Sequence, residues 1–424
     1  MNNQFRIYVV ITGILVIISL IGGVTAVSLE PGWQEHPADD TTFSGAILST
    51  DGSIVFAGGN QLLVRSWNGD TRWSGLSGTV ATMSSDGNYI VSALNDNVRT
   101  FNRTGNVIWN RITGSPFRAV AVSSDGSLVI AADDRGYLRS WTIDGKSLGV
   151  YNETDQVKHI EISPSQSLVA VSTKDSLKVF SPEMNLIWEK KSLGDRDSFI
   201  AFSADSSTLI LAGENQVSSY TTKGLLNWEK EITNNFIIDM ACSDDCSTIV
   251  LGSQDGNVWV LNKEGQVQWK YPVGTWVNSV GVSRDGSVIV AGALDGTVYI
   301  LDKNGNLLAQ TKTDSAIRQR SIAVNTDGTR IVVIAERTMY GYNLDYNPAG
   351  IPQATSTETP VRTTLPPSTI TTPVPVKTTR PITVPSPKGT KLPETNSTPN
   401  SAPTPLLAII ASASLLFTIR RRNN

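Results

Sequence analysis

The chain has 424 residues, 40% hydrophobic and 17% charged, with a formal net charge of −3 at pH 7. A near-neutral balance with no basic stripe argues against nucleic acid as a partner. Two cysteines and two histidines in the whole chain leave little for metal or thiol chemistry to use.

In chain order, residues 1–26 form a short polar head with one arginine, then an apolar run, then Val24-Thr25-Ala26. The pattern reads as a secretory signal, with an uncleaved membrane segment as the alternative; either exports the remainder of the chain. Residues 31–346 carry a repeat. A Ser-x-Asp-Gly turn, with Asn for Ser at 325 and degenerate copies at Ser163–Gln166, Ser203–Ser206 and Ser243–Cys246, recurs with its third position at 51, 86, 125, 165, 205, 245, 285 and 327, so successive spacings are 35, 39, 40, 40, 40, 40 and 42. The clearest copy, residues 277–310, reads as four short strands separated by Asp-Gly and Asn-Gly turns, where glycine accepts the positive φ that a tight turn demands. One such sheet buries too little to fold alone. A period near 40 with four strands per unit therefore predicts an all-β chain, a single β-propeller of about eight blades, with seven as the alternative.

The last repeat shows three strands and stops near Tyr346, while Trp33 precedes Asp51 by the distance that separates a fourth strand from the next anchor. The segment around Trp33 is thus expected to complete the last blade and close the ring. Trp73, Trp109, Trp228 and Trp269 each follow a glycine by four residues, and Trp188 follows Met184 at the same distance. One large ring per blade at a fixed place predicts a girdle that docks blade on blade, Trp33 included; sugar-stacking aromatics are the alternative.

Cys242 and Cys246 flank one turn as Cys-Ser-Asp-Asp-Cys. In an exported protein that spacing predicts a small local disulfide, with free thiols or a metal as alternatives. Glycosylation sequons occur at Asn102, Asn152 and Asn396. Residues 347–405 hold fourteen of the twenty prolines among Thr and Ser, the composition of an extended, disordered and often O-glycosylated stalk. Residues 406–424 are an apolar run ending in Arg420, Arg421 and Arg422. Arginines on the cytoplasmic side place the propeller outside the cell.

Residues 248–274, TIVLGSQDGNVWVLNKEGQVQWKYPVG, resemble the repeat of pyrroloquinoline-quinone-type β-propellers, in which a Gly followed four residues later by Trp docks adjacent blades. The Ser-x-Asp-Gly hairpins also resemble WD-repeat and related surface-protein propellers. The tail resembles the sorting tails of archaeal and bacterial surface proteins, with Thr404-Pro405-Leu406 where Pro-Gly-Phe would stand. This architecture hosts dehydrogenases, scaffolds and adhesion modules alike. The quinone branch would imply an axial cofactor and metal, but neither His36 nor His159 belongs to a recognisable site, and no catalytic, cofactor or metal residues stand out. The expectation is a non-enzymatic, membrane-anchored surface propeller that binds a protein or glycan through its loops and carries no cofactor. A quinone- or metal-dependent dehydrogenase and a passive envelope protein are the competing readings.

Overall fold

The computed structural model describes residues 27–346 except 38–41, 60, 77–79, 154 and 192–197. The expected signal, stalk and anchor, and Asn396, lie outside the described residues. The described part contains strands and turns, arranged as eight sheets. Six have four consecutive strands each. The seventh gains a fifth strand, Val27–Ser28, parallel to Leu307–Lys312. The eighth is built from Ile317–Val324, Arg330–Ala335 and Thr338–Asn343, completed by Trp33–Glu35 antiparallel to the last of these. The ring therefore has eight blades rather than seven, closed by the early Trp33 strand as the truncated last repeat required.

The eight inner strands are Phe43–Leu48, Val80–Met83, Phe117–Val122, Val157–Ile162, Ser198–Phe202, Ile237–Cys242, Val277–Val282 and Ile317–Val324. Second strands such as Val288–Ala293 are buried along their whole length, since both faces meet a neighbouring blade. Core clusters accordingly straddle blade pairs: Val288, Val290 and Ile300 of the seventh pack with Ile331, Val333 and Tyr342 of the eighth.

The repeated turn explains itself in hydrogen bonds. Ser283 Oγ donates to Asp285 Oδ1 at 2.6 Å and accepts from Val288 N at 3.0 Å, while Asp285 Oδ1 also takes Ser287 N. The same serine bonds recur at Ser49, Ser84, Ser123, Ser203 and Ser243. The second residue of the turn then links blades. Its amide donates to the matching carbonyl of the next turn from Thr50 to Ser85, Ser85 to Ser124, Ala204 to Asp244, Asp244 to Arg284, Arg284 to Thr326 and, across the closure, Thr326 to Thr50. Pro164 occupies this place in the fourth blade and has no N–H to give. There Ser165 N donates to Ser206 Oγ and Ser127 Oγ to Gln166 Oε1 instead.

Each docking tryptophan reaches one blade ahead. The indole N–H of Trp73, Trp109, Trp188, Trp228 and Trp269 donates to the carbonyl of Arg103, Ile143, Thr222, Lys263 and Lys303, at 2.7–3.2 Å. Its ring lies on Gly105, Gly145, Gly224, Gly265 or Gly305, where an added Cβ would sit 2.6–3.0 Å from the indole. The third blade has Gly149 and the seventh Ala309 where the first, second, fourth, fifth and sixth have Trp, and the fourth has Met184 where its two neighbours have Gly. The departures at Gly149 and Met184 belong together: with no ring to accommodate, buried Met184 fills the place, at a positive φ of 63°.

Trp33 is different. It stacks on Gly341 of its own blade and meets Trp67 of the first blade edge-on at 5.5 Å. Arg65 lies over the Trp33 ring and pairs with Glu35 at 2.9 Å, and Trp67 Nε1 donates to Asn343 Oδ1. Side chains from both ends of the propeller thus bridge the joint between the last blade and the first.

Candidate functional site: the ring axis and the connection face

A four-stranded meander puts its first and third turns at one end and its second turn, with the link to the next blade, at the other. The propeller thus has a turn face, carrying the Ser-x-Asp-Gly belt, and a connection face. Between them the inner strands enclose two adjoining axial cavities. One, about 300 Å³, lies toward the connection face among Gly45, Ala81, Arg118, Lys158, His159 and Arg320. The other, about 460 Å³, lies among Glu161, Phe199, Asp239, Cys242, Gly281 and Arg320.

Most inner-strand positions facing this space are small or aliphatic; among the exceptions, His159, Glu161, Asp239 and Arg320 form one cluster. His159 Nδ1 accepts a long 3.4 Å hydrogen bond from Ile200 N, and its Nε2 lies 3.9 Å from Glu161 Oε2. Asp239 Oδ2 accepts from Ser279 Oγ and Val280 N, each at 3.0 Å, and Oδ1 from Met240 N. Arg320 reaches in from the eighth blade, its Cζ 5.7 Å from the Phe199 ring centroid. Partial desolvation inside the ring disfavours charge. It pushes His159 down to about 3, helped by the Arg320 charge, and pushes Glu161 up to about 7 and Asp239 up to about 6 against the opposing pull of Arg320. Water still reaches the space, since the Glu161 side chain is 41% accessible. His159 is therefore neutral near pH 7, and the two carboxyls are held toward their protonated forms.

Arg320 is there because of an insertion. In the first, third, fourth, sixth and seventh blades the inner strand carries a single-residue bulge, as between Val277 and Ser279. In the eighth, Ile317 pairs with Ala335 and Ile322 with Val333. The inner strand thus advances five residues while its neighbour advances two, a surplus of three where the other blades have one. The two additional residues are those of the 42-residue spacing between Asp285 and Asp327. Arg320 sits in the loop so formed with φ 57°, a left-handed conformation that costs a non-glycine residue of order 1 kcal/mol. The loop is tied on both sides: Gln319 Nε2 donates to Ile238 O, and Ser321 N donates to Ser279 Oγ at 3.0 Å. This cluster does not stand out in the sequence; its signals there are the long last spacing and the charged residues in the inner strands at 159, 161 and 239.

The connection face carries the second feature. Of the ten tryptophans, Trp276 alone is more than a third exposed, at 47%, and Leu294 beside it is 41% exposed. Leu294 N donates to Trp276 O at 2.9 Å. Phe236 holds the equivalent place in the preceding blade, and Gln254 N donates to its carbonyl in the same way.

The remaining expected site residues are scattered over the ring. Cys242 and Cys246 are free thiols with their sulfurs 3.0 Å apart, well beyond an S–S bond of about 2.05 Å. The expected disulfide is therefore absent from this structure: Cys246 holds the turn's left-handed position at φ 52°, and the pair meets as neighbouring thiols. Asn102 caps its own turn, its side-chain oxygen accepting from Thr104 N and Asn106 N at 3.0 Å. Asn152 ends the strand Ser147–Asn152 and is exposed. His36 Nδ1 lies 2.9 Å from Thr338 Oγ1 beside the closure. Among the described residues, no three His, Cys, Asp or Glu side chains converge as a metal-ligand set.

The comparisons with known proteins agree with the architecture. Of the solved structures, the C-terminal WD40 domain of Sif2 superimposes with a TM-score of 0.64 at 16% identity, covering 76% of this chain and 99% of that one. The fold is that of a WD40-like propeller. Sqt1 from Chaetomium thermophilum, bound to the N-terminus of the ribosomal protein L10, matches at 0.61 and 16%, over 75% and 99%. The computationally designed Ika8 protein matches at 0.62 and 19%, over 75% and 99%. Identities this low show a shared fold alone. Residues 212–332 match the lambda-carrageenase β-propeller domain, less than a third of the chain. No curated protein sequence matches.

Proposed function

We propose that this chain is a non-catalytic binding module that takes a protein partner on its connection face, displayed outside the cell on a Thr/Pro-rich stalk. The observation that carries the reading is the pair Trp276 and Leu294, an exposed aromatic and an exposed aliphatic side chain held together by a backbone hydrogen bond on one face of a rigid ring. Exposed tryptophans on rigid surfaces are among the residues most enriched at binding hot spots. The solved complex of Sqt1 with a polypeptide N-terminus supports a protein as the class of partner. Display rests on the sequence of the termini, the apolar leader and the closing arginines.

The test is photo-crosslinking in the host from a probe replacing Trp276, compared with one replacing Asn304 on the turn face. A discrete protein adduct from 276, absent from 304, is the expected result. Adducts of equal yield from both faces, or none from 276, would leave a passive envelope element instead.

A further inference from the structure

We propose that the axial cavity is a binding site for a small oxyanion, a carboxylate or phosphate, held by the guanidinium of Arg320. The eighth blade departs from its neighbours in one respect. Two residues beyond the usual bulge are inserted into its inner strand, and their effect is to carry one arginine onto the ring axis. The loop adopts a left-handed conformation at Arg320 and is anchored at both flanks, through Gln319 to Ile238 and through Ser321 to Ser279, which itself donates to Asp239. A backbone conformation braced on both sides fixes where the side chain starts, at the edge of the cavity.

The side chain held there is exposed and interacts through space with the Glu161 and Asp239 carboxyls. Among the described residues, the Arg320 guanidinium makes no hydrogen bond or close ion pair, and its Cζ lies over the Phe199 ring. Five N–H donors in a planar fork match a carboxylate or phosphate in bidentate fashion. Lys158 and Arg118 line the same cavity on the side of the connection face, so the approach is cationic, although Arg118 is paired with Asp134 and Lys158 is also engaged. The space of about 300 Å³ admits a small metabolite-sized anion.

Two carboxyls face the same region and would oppose an anion if ionised. Both oxygens of Asp239 are already engaged, by Ser279, Val280 and Met240. Desolvation raises Asp239 to about 6 and Glu161 to about 7, so their repulsion of an anion weakens as the pH falls below neutral, and binding should tighten in the same direction. The site is independent of the connection-face reading, and either can fail without the other.

The test is isothermal titration calorimetry of the full chain with sodium malonate and, separately, inorganic phosphate, with ionic strength held by sodium chloride. The expected result is saturable one-to-one binding of at least one probe, weakened about tenfold or more by Arg320→Met. Arg320→Lys should weaken it less, and Arg284→Met on the turn face should leave it unchanged. Malonate alone or phosphate alone would name the class. Absence of saturable binding by either probe, or an affinity unchanged in Arg320→Met, would overturn the site. Should Arg320→Met not fold by far-UV circular dichroism, the Arg320→Lys affinity decides, and equality with the parent overturns it.

Discussion

Gly114 and Gly265 offer a matched pair for measuring what a docking tryptophan is worth. Both have a positive φ, 73° and 71°, so an alanine at either suffers about the same backbone penalty, of order 1 kcal/mol. Their surroundings differ. An added Cβ at Gly114 meets nothing within 4 Å, whereas at Gly265 it sits 2.6 Å from the Trp228 ring. The ring cannot slide without giving up its N–H bond to Lys263 O at 2.7 Å, about 1 kcal/mol, and part of its stacking, about another 1 kcal/mol. Gly114→Ala should therefore destabilise by about 1 kcal/mol and Gly265→Ala by about 3 kcal/mol. Urea unfolding followed by tryptophan fluorescence reads both as shifts of Cm at constant m. Equal shifts for the two variants would refute the idea that the rings staple blade to blade.

Further outcomes are expected from the same geometry. Lys178 Nζ lies 2.5 Å from Glu153 Oε2 in a buried pair, so Lys178→Met, which takes away that cation, should cost about 3 kcal/mol or more in the same unfolding assay; a shift below about 1 kcal/mol would contradict the pairing. The axial carboxyls bind protons more tightly folded than unfolded, so they contribute stability below the ordinary carboxylate range that is lost as pH rises through about 6 and 7. His159, held neutral, has the opposite sign: its contribution is lost as pH falls from 6.5 toward about 3. Glu161→Gln should accordingly flatten the decline in Cm between about pH 5 and pH 8, and parallel curves for variant and parent would contradict the assignment. Under an oxidising thiol–disulfide buffer, Cys242 and Cys246 should join with loss of two hydrogens, seen by intact mass; unchanged mass would leave them as thiols.

The architecture was legible because it is periodic. Ser-x-Asp-Gly recurs since one serine hydroxyl and one aspartate oxygen satisfy the same turn groups in blade after blade, and the truncated eighth repeat pointed to Trp33. The fifth strand at Val27–Ser28 was not legible, because a two-residue parallel pairing has no pattern of its own. Nor was the exchange of Gly149 with Met184, since it takes the fold to show that Trp in one blade meets Gly in the next. The axial cluster was hidden for a related reason. His159 and Glu161, Asp239 and Arg320 lie in three different blades, far apart in sequence; only closure of the ring brings them to one axis. The extra two residues before Asp327 were visible as a spacing, but a spacing does not say which side chain it moves.

The claim that the connection face binds a protein is tested most directly on the partner that crosslinks from position 276. Once that protein is purified, its Kd should be measured by calorimetry for the parent chain and for Trp276→Ala with Leu294→Ser, at matched Cm. A loss of affinity of at least about tenfold is expected in the variant. An unchanged Kd would contradict the claim.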